Sequence, residues 1–274
     1  MKNALHTSRP RWLIAALAIA VFFAVDTLGL HPFKALAQDL KGWPRIAVLS
    51  LVGYGLYLLA PLALTAWLFR PRQAVAALGL QGPILKGLAV ALLGTAILAI
   101  GYGVLSPMVP LDEALAKEFV RGSLLPGFAE EVLYRGLLFG LLFRFAGWGF
   151  LPAVLLAAGL FGAAHLYQSN EPAQAGMIFA ITGLGGALAA WLYAEWDFNL
   201  WVPIGVHILM NFWWSLFAVD DSALGSGPAN LVRLAGVGAL IALTLIHAGR
   251  RGHRIVRGRA WLRGGPVAEP SSTP

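Results

Sequence analysis

The sequence predicts an all-α, polytopic integral membrane protein, a helical bundle of about eight transmembrane helices. Of its 274 residues, 58% are hydrophobic and only 12% are charged, whereas an average soluble domain carries about 25% charged residues. The apolar residues form long stretches, close to the roughly 20 residues that a helix needs to cross a hydrocarbon core about 30 Å thick. The alternating pattern of a β-barrel is missing, so helices are expected to satisfy the backbone hydrogen bonds in lipid.

Apolar stretches follow one another along the chain, and each predicts one membrane-spanning helix. The eight stretches are Trp12–Leu30, Ile46–Phe69, Ile84–Leu105, Leu124–Phe143, Phe150–Tyr167, Gly176–Ala194, Leu200–Phe217 and Leu231–His247. They divide the chain into a basic N-terminal tail (1–11), two N-terminal helices (12–83), a core (84–217), a C-terminal helix (218–249) and a basic, flexible tail (250–274).

The net charge of +7 comes from the two ends of the chain: nine of the 20 Lys and Arg residues lie in 1–11 and 250–274, and residues 12–249 hold 11 Lys and Arg against 12 Asp and Glu. Basic residues beside apolar helices stay on the cytoplasmic side of a membrane. The pattern therefore predicts a multi-pass protein of the cell (inner) membrane, in contact with the lipid bilayer and with both termini in the cytoplasm. The connector 195–199 is an exception, because it is acidic on the predicted cytoplasmic side.

Two further features narrow the class of protein. The chain has no Cys, which excludes a disulfide scaffold, a thiolate nucleophile and a Cys-ligated metal site. It also has no basic surface with interleaved aromatic residues, and nucleic acid is therefore not expected as a partner.

The first apolar stretch has an alternative interpretation. A basic start, an apolar run and the small residues Ala35 and Ala37 resemble a signal peptide with its cleavage site. The run is long for a signal peptide and contains Asp26, which favours a retained helix. Cleavage would leave seven helices and an external N-terminus.

Polar side chains interrupt three of the apolar stretches. These are Glu130, Glu131 and Arg135 in the fourth stretch, His165 in the fifth, and His207 and Asn211 in the seventh. A charge near the bilayer centre costs about 2.5–3.5 kcal/mol even on the most lenient scale. Three separate helices carry this cost, so we expect the six side chains to meet in one polar cavity.

The spacing within each motif suggests a role. Glu131 and Arg135 are four residues apart, in the favourable order for a helical ion pair. Glu130 lies about 100° away around the helix and is left to face the cavity, where an unpaired carboxylate suits a general base. The alternative is a polar cluster at a helix entry.

The two histidine motifs each allow two interpretations. His207 and Asn211 lie on one helix face, from which they either donate two hydrogen bonds to a developing oxyanion or hold neighbouring helices together. His165 is either a wall of the cavity or a satisfied polar contact.

Metal binding and proton transport are the other chemistries that these residue types allow. The spacing His-Glu-x-x-His is absent, but Glu130, His165 and His207 could ligate a divalent metal such as zinc, with water completing the shell. A transporter would use the carboxylates and histidines as a proton relay. The broken half-helices expected of that class do not stand out.

The ordered motifs Glu130-Glu131-x-x-x-Arg135, Phe161-x-x-x-His165 and His207-x-x-x-Asn211 resemble the CPBP family (CAAX protease and bacteriocin-processing, also called Abi), which includes the type II CAAX prenyl endopeptidases. The similarity covers about residues 84–217. Tyr134 stands where relatives often have Phe.

The resemblance implies an intramembrane protease core at 84–217 that cleaves a membrane-embedded or membrane-anchored peptide or protein. It implies that Glu130 with His165 activates water, that Glu131 holds Arg135, and that His207 and Asn211 stabilise the oxyanion. Relatives are often labelled metalloproteases. The metal-free, glutamate-type mechanism that needs no cofactor is preferred here, because the ligand set is poor in His. A non-catalytic bacteriocin self-immunity or peptide-binding protein on the same scaffold is the alternative.

Overall fold

The computed structural model describes residues 5, 7–28, 37–220 and 222–264, and it is helical throughout these ranges apart from loops and one isolated bridge. Residues 35 and 36 of the alternative cleavage site and residues 265–274 of the predicted tail lie outside them.

The helices follow the predicted stretches closely. They are α1 (Arg11–Leu28), α2 (Gly42–Leu68), the short α3 (Ala74–Ala77), α4 (Ile84–Leu105), α5 (113–144), α6 (Phe150–Ala163), α7 (Pro172–Glu195), α8 (Trp201–Leu216) and α9 (Gly227–Arg251). Short 3₁₀ turns cover Pro71–Gln73, Leu166–Gln168 and Gly258–Trp261.

Six helices among the described residues are long and apolar enough to cross a membrane: α1, α2, α4, α6 with its following turn, α7 and α9. Many of their outward side chains are exposed and apolar, such as Leu85 (82% exposed) and Val104 (81%). An apolar surface of this kind suits lipid, since water would not favour it. The fold is therefore an all-helical bundle of the multi-pass membrane type.

The fourth and seventh predicted spans, which carry most of the polar motif, are not among these six. Helix α8 has 16 residues, which corresponds to about 24 Å. Helix α5 changes between α and π geometry along its length. A count of eight crossings stays a prediction for these two helices.

Helix α5 lies at the centre of the bundle and packs against α1, α2, α6, α7 and α8. It begins at the N-cap Asp112, whose carboxylate accepts a hydrogen bond from the amide of Leu115 (3.0 Å). Two π-helical segments, Phe119–Leu124 and Glu131–Phe139, interrupt it. Every residue from 131 to 143 is buried, so its polar side chains meet protein rather than lipid.

The described chain ends come together at one end of the bundle. The hydroxyl of Thr7 donates to the carbonyl of Leu68 (2.6 Å), and the amide of Gly264 donates to the carbonyl of Gly147 (3.1 Å). A Cβ on Gly147 would lie 3.2 Å from the Arg11 side chain. The N-terminal and C-terminal residues therefore share a face.

The expectation of an unpacked tail from residue 250 is wrong for residues 250–264. The buried carboxylate of Glu195 (1% exposed) accepts hydrogen bonds from the backbone amides of Ile255 (3.2 Å) and Val256 (2.9 Å). Val256 is itself buried. Without these donors, the Glu195 carboxylate would be buried without partners for its charge, which is unfavourable in free energy. The hydrogen bonds therefore hold residues 255 and 256 against the bundle.

The acidic connector 195–199 is explained by the same contacts. Arg251 donates to the carboxylates of Glu195 (3.2 Å) and Asp197 (2.7 Å) and to the Glu195 carbonyl (2.8 Å). The two negative charges that depart from the positive-inside pattern are therefore partly offset by Arg251 at the end of α9.

The Glu195 contacts can be tested by comparing two carboxylates that share Arg251. Glu195→Ala removes the buried partner, and we expect a loss of about 3 kcal/mol of stability. Asp197→Asn removes the exposed partner (54% exposed) and should cost less than about 1 kcal/mol. Thermal unfolding of the purified protein in detergent measures both, and equal effects would contradict the assigned role of Glu195.

Candidate active site

One carboxylate oxygen organises the centre of the polar cluster. Oε1 of Glu131 accepts hydrogen bonds from Nη1 of Arg135 and from Nδ1 of His207, each at 2.8 Å. The ion pair expected from the i,i+4 spacing is therefore present. Glu131 is 1% exposed and Arg135 is 2% exposed, so both charges are compensated within the protein.

The Arg135 guanidinium packs against residues of two neighbouring helices. It lies over the ring of Phe161 at 4.3 Å from the centroid, a cation–π arrangement. A Cβ on Gly186 of α7 would lie 3.1 Å from Nη2 of Arg135 and 3.2 Å from Cδ1 of Phe161. Helices α5, α6 and α7 thus meet around this side chain.

His207 joins α8 to both carboxylates. Because a carboxylate only accepts, the Nδ1 of His207 carries the proton that is donated to Glu131. Its Nε2 then points toward Oε2 of Glu130 across 4.0 Å. This separation is too long for a direct hydrogen bond, but it is short enough for one water to bridge the two atoms.

Glu130 differs from Glu131 in its exposure and in its hydrogen bonding. Its side chain is 23% exposed, against 1% for Glu131. It makes no hydrogen bond to another residue in the described part of the chain, whereas Glu131 makes two. Adjacent positions on a helix point in different directions, and this separates one accessible carboxylate from one fixed carboxylate.

Asn211 lies one turn beyond His207 on α8 and is held by a backbone carbonyl of α5. Its Nδ2 donates to the carbonyl of Gly122 at 3.0 Å, in the first π-helical segment of α5. A primary amide has two N–H groups, so this bond orients the amide and leaves the second N–H for another acceptor.

His165 follows the end of α6, and the Phe161 ring lies between it and the rest of the cluster. Its Nδ1 is 2.7 Å from the Phe161 carbonyl, to which it must donate, since a carbonyl only accepts. The Phe161 ring lies 4.6 Å from the His165 ring and 6.2 Å from the His207 ring, between centroids. The structure shows no direct contact between His165 and Glu130, and the Nε2 of a neutral His165 keeps its lone pair.

The described donor groups of the site do not cluster as metal ligands do. In the ranges that the structure describes, no group of three or more His, Asp or Glu side chains is close enough together to hold one. Glu130, His165 and His207 thus do not form a ready three-ligand site.

A second polar contact near Glu130 was not predicted as part of the site. The hydroxyl of Tyr134 lies 3.5 Å from Oδ1 of Asp26 on α1. Tyr134 lies four residues from Glu130 on α5, about one helical turn away. In the sequence, the only sign of this contact is that Asp26 places a charge within an apolar stretch. That sign does not reveal which helix supplies the partner of Asp26.

Close approach of α5 and α8 depends on Gly127. A Cβ at this position would lie 2.6 Å from Cγ1 and 3.0 Å from the backbone nitrogen of Ile208. Ile208 is adjacent to His207, so the spacing between His207 and Glu130 depends on the small size of residue 127.

Comparison with known proteins agrees with the three motifs. Residues 113–213 match the family model described as type II CAAX prenyl endopeptidase Rce1-like. The match includes all six motif side chains and covers a little more than a third of the chain. It confirms the resemblance to this protease family over those residues. No curated protein and no solved structure matches the chain.

The buried ion pair can be tested by removing its cation. Arg135→Ala leaves Glu131 buried with only His207 as a donor, and we expect a loss of about 3–5 kcal/mol or failure to accumulate in the membrane. The matched control is Arg121→Ala on the same helix, because Arg121 pairs with Glu118 at the surface, where its side chain is 71% exposed. Normal stability of the Arg135 variant would contradict the buried role.

The helix approach at Gly127 is tested by a single methyl group. Gly127→Ala should lower stability by about 1–3 kcal/mol because the added atom overpacks the α5–α8 contact. Gly176→Ala on α7 is the control, since a Cβ there meets nothing within 4 Å and alanine is the better helix former. A melting temperature for Gly127→Ala equal to or above that of Gly176→Ala would exclude the proposed tight contact.

Proposed function

We propose that this protein is an intramembrane endopeptidase of the CAAX-protease-like kind, which cleaves a membrane-embedded or membrane-anchored peptide or protein with a glutamate-activated water. The observation that carries the proposal is the position of the Glu130 carboxylate, which is accessible and accepts no hydrogen bond from the described residues, 4.0 Å from the Nε2 of His207. The family match over residues 113–213 supports the same class of reaction.

The proposed first step is attack by water on the scissile carbonyl. A water between Glu130 and His207 would lie within hydrogen-bond reach of both. Glu130 takes one proton from this water while its oxygen bonds to the carbonyl carbon, and the carbonyl oxygen gains the negative charge of a tetrahedral intermediate. His165, whose Nε2 lone pair is available, is assigned a supporting part in activating the water.

The oxyanion needs donors that are already in place before the reaction. The second N–H of Asn211 supplies one, because the first is bound to the Gly122 carbonyl. His207 supplies another from Nε2 in its cationic form, since its Nδ1 proton is used by Glu131. The carboxylate of Glu131, which takes no proton in this scheme, lies beside that ring and offsets its positive charge.

The second step returns the proton. The intermediate collapses, the C–N bond breaks, and the protonated Glu130 donates to the leaving amine. Glu131 and Arg135 take no proton in this scheme; they hold the His207 ring in position. No step is assigned to a metal ion.

The shared face of the two described ends supports a proposed location for the protein. Thr7 and Gly264 lie at the same end of the bundle, and the basic residues are concentrated near these termini. We infer a multi-pass protein of the cell membrane with both termini in the cytoplasm.

The proposal is tested with Glu130→Gln, which keeps the size of the side chain and removes the base. General-base catalysis contributes about 10²–10⁴-fold, so cleavage should fall at least a hundredfold while the melting temperature changes little. Glu113→Gln is the control on the same helix, because Glu113 is exposed (66%) and far from the cluster in sequence. The substrate is found by comparing membrane proteomes and new N-termini in cells that express each form.

Two results would contradict the proposal. One is full cleavage of a verified substrate by a folded Glu130→Gln protein. The other is an identical set of membrane-protein N-termini with the wild type and the variant, which would favour the non-catalytic, peptide-binding alternative.

A further inference from the structure

The end of α9 carries a shallow, largely open cavity that the proposed reaction does not use. Its volume is about 390 Å³, and it is lined by Leu245, Ala248, Gly249, Gly252, His253, Arg254 and Arg257. It is thus formed by the last turns of α9 together with the segment that follows it, far along the chain from the motif residues 130–211.

The chain makes this cavity by reversing direction at a glycine. Gly252 adopts a left-handed conformation (φ 78°) at the C-cap of α9, which suits a residue without a Cβ. The amides of Ile255 and Val256 are then fixed to the Glu195 carboxylate. Residues on either side of this pair are therefore held in place although they lie at the surface.

Those flanking residues are Arg254 and Arg257, both exposed. Neither forms a salt bridge with a carboxylate in the described part of the chain, whereas Arg251 nearby forms two. Two arginines thus line one cavity with no carboxylate partner among the described residues. A guanidinium fork matches the oxygen geometry of phosphate.

The other side of the cavity is apolar. Leu245 (37% exposed) and Ala248 belong to α9, one of the six helices suited to cross a membrane. Farther along the same segment, Trp261 (41%) and Leu262 (69%) are exposed between Arg259 and Arg263. Exposed Trp among basic residues is typical of the boundary between headgroups and acyl chains.

We propose that this cavity binds the phosphate headgroup of an anionic phospholipid, whose acyl chains lie along the apolar face of α9 at Leu245. A free phosphate would satisfy the two arginines only, whereas a phospholipid also covers the apolar wall. The predicted cytoplasmic position of this end agrees with the anionic lipids of that leaflet. The proposal is independent of peptide cleavage.

The test uses the purified full-length protein in detergent, with phosphatidylglycerol added in mixed micelles. Bound lipid is counted by native mass spectrometry, and the melting temperature is followed as lipid is added, since a ligand of the folded state raises it. Phosphatidylcholine and inorganic phosphate are the comparison ligands. We expect stabilisation by phosphatidylglycerol and little by either of the others.

The matched variants remove two charges each. Arg254→Gln with Arg257→Gln should weaken phosphatidylglycerol binding about ten- to thirty-fold. This estimate assumes that each arginine contributes about as much as one basic residue near an anionic membrane surface. Arg70→Gln with Arg72→Gln is the control, because both residues are exposed and lie outside the cavity. Arg254→Lys with Arg257→Lys keeps the charge and should recover part of the binding.

Three outcomes would overturn the site. Equal loss of binding in the two glutamine pairs would show diffuse attraction rather than a cavity. Equal stabilisation by inorganic phosphate would indicate a free anion instead of a lipid. Wild-type protein that gains nothing from phosphatidylglycerol would exclude the proposal without recourse to any variant.

Discussion

The carboxylate of Glu131 is the constraint on which the polar centre of this bundle depends. A buried anion is costly unless donors surround it, and here one oxygen accepts from both Arg135 and His207. The first partner lies on the same helix and the second lies on α8. The need to satisfy this charge therefore sets the rotation of α5 and brings α8 to a fixed place beside it.

Helix geometry lets two adjacent glutamates serve different purposes. Glu131 begins a π-helical segment and is buried, while Glu130 ends the preceding α-helical segment and stays partly accessible. A π turn within an α-helix is often found at functional sites. The same device appears earlier on α5, where the π segment presents the Gly122 carbonyl to Asn211.

The contacts of the site that could be predicted are those between residues close together on one helix. The pairing of Glu131 with Arg135 needs only the i,i+4 spacing on one helix. The Nδ1 contact between His207 and Glu131, and the contact of Asn211 with Gly122, join residues from distant parts of the chain. Spacing within a motif carries no information about such partners. For the same reason, the link of His165 to Phe161 rather than to Glu130 was not foreseen.

The sequence by itself determined the helical membrane class, the approximate positions of most helices, and the six polar side chains to which the proposed chemistry is assigned. These follow from hydropathy and from the cost of charge in lipid, which act on each segment separately. Only the tertiary structure decided that residues 250–264 pack, because a buried acceptor on Glu195 claims their amides. It also decided which glutamate is fixed and which is accessible, since burial depends on neighbouring helices that no single segment can specify.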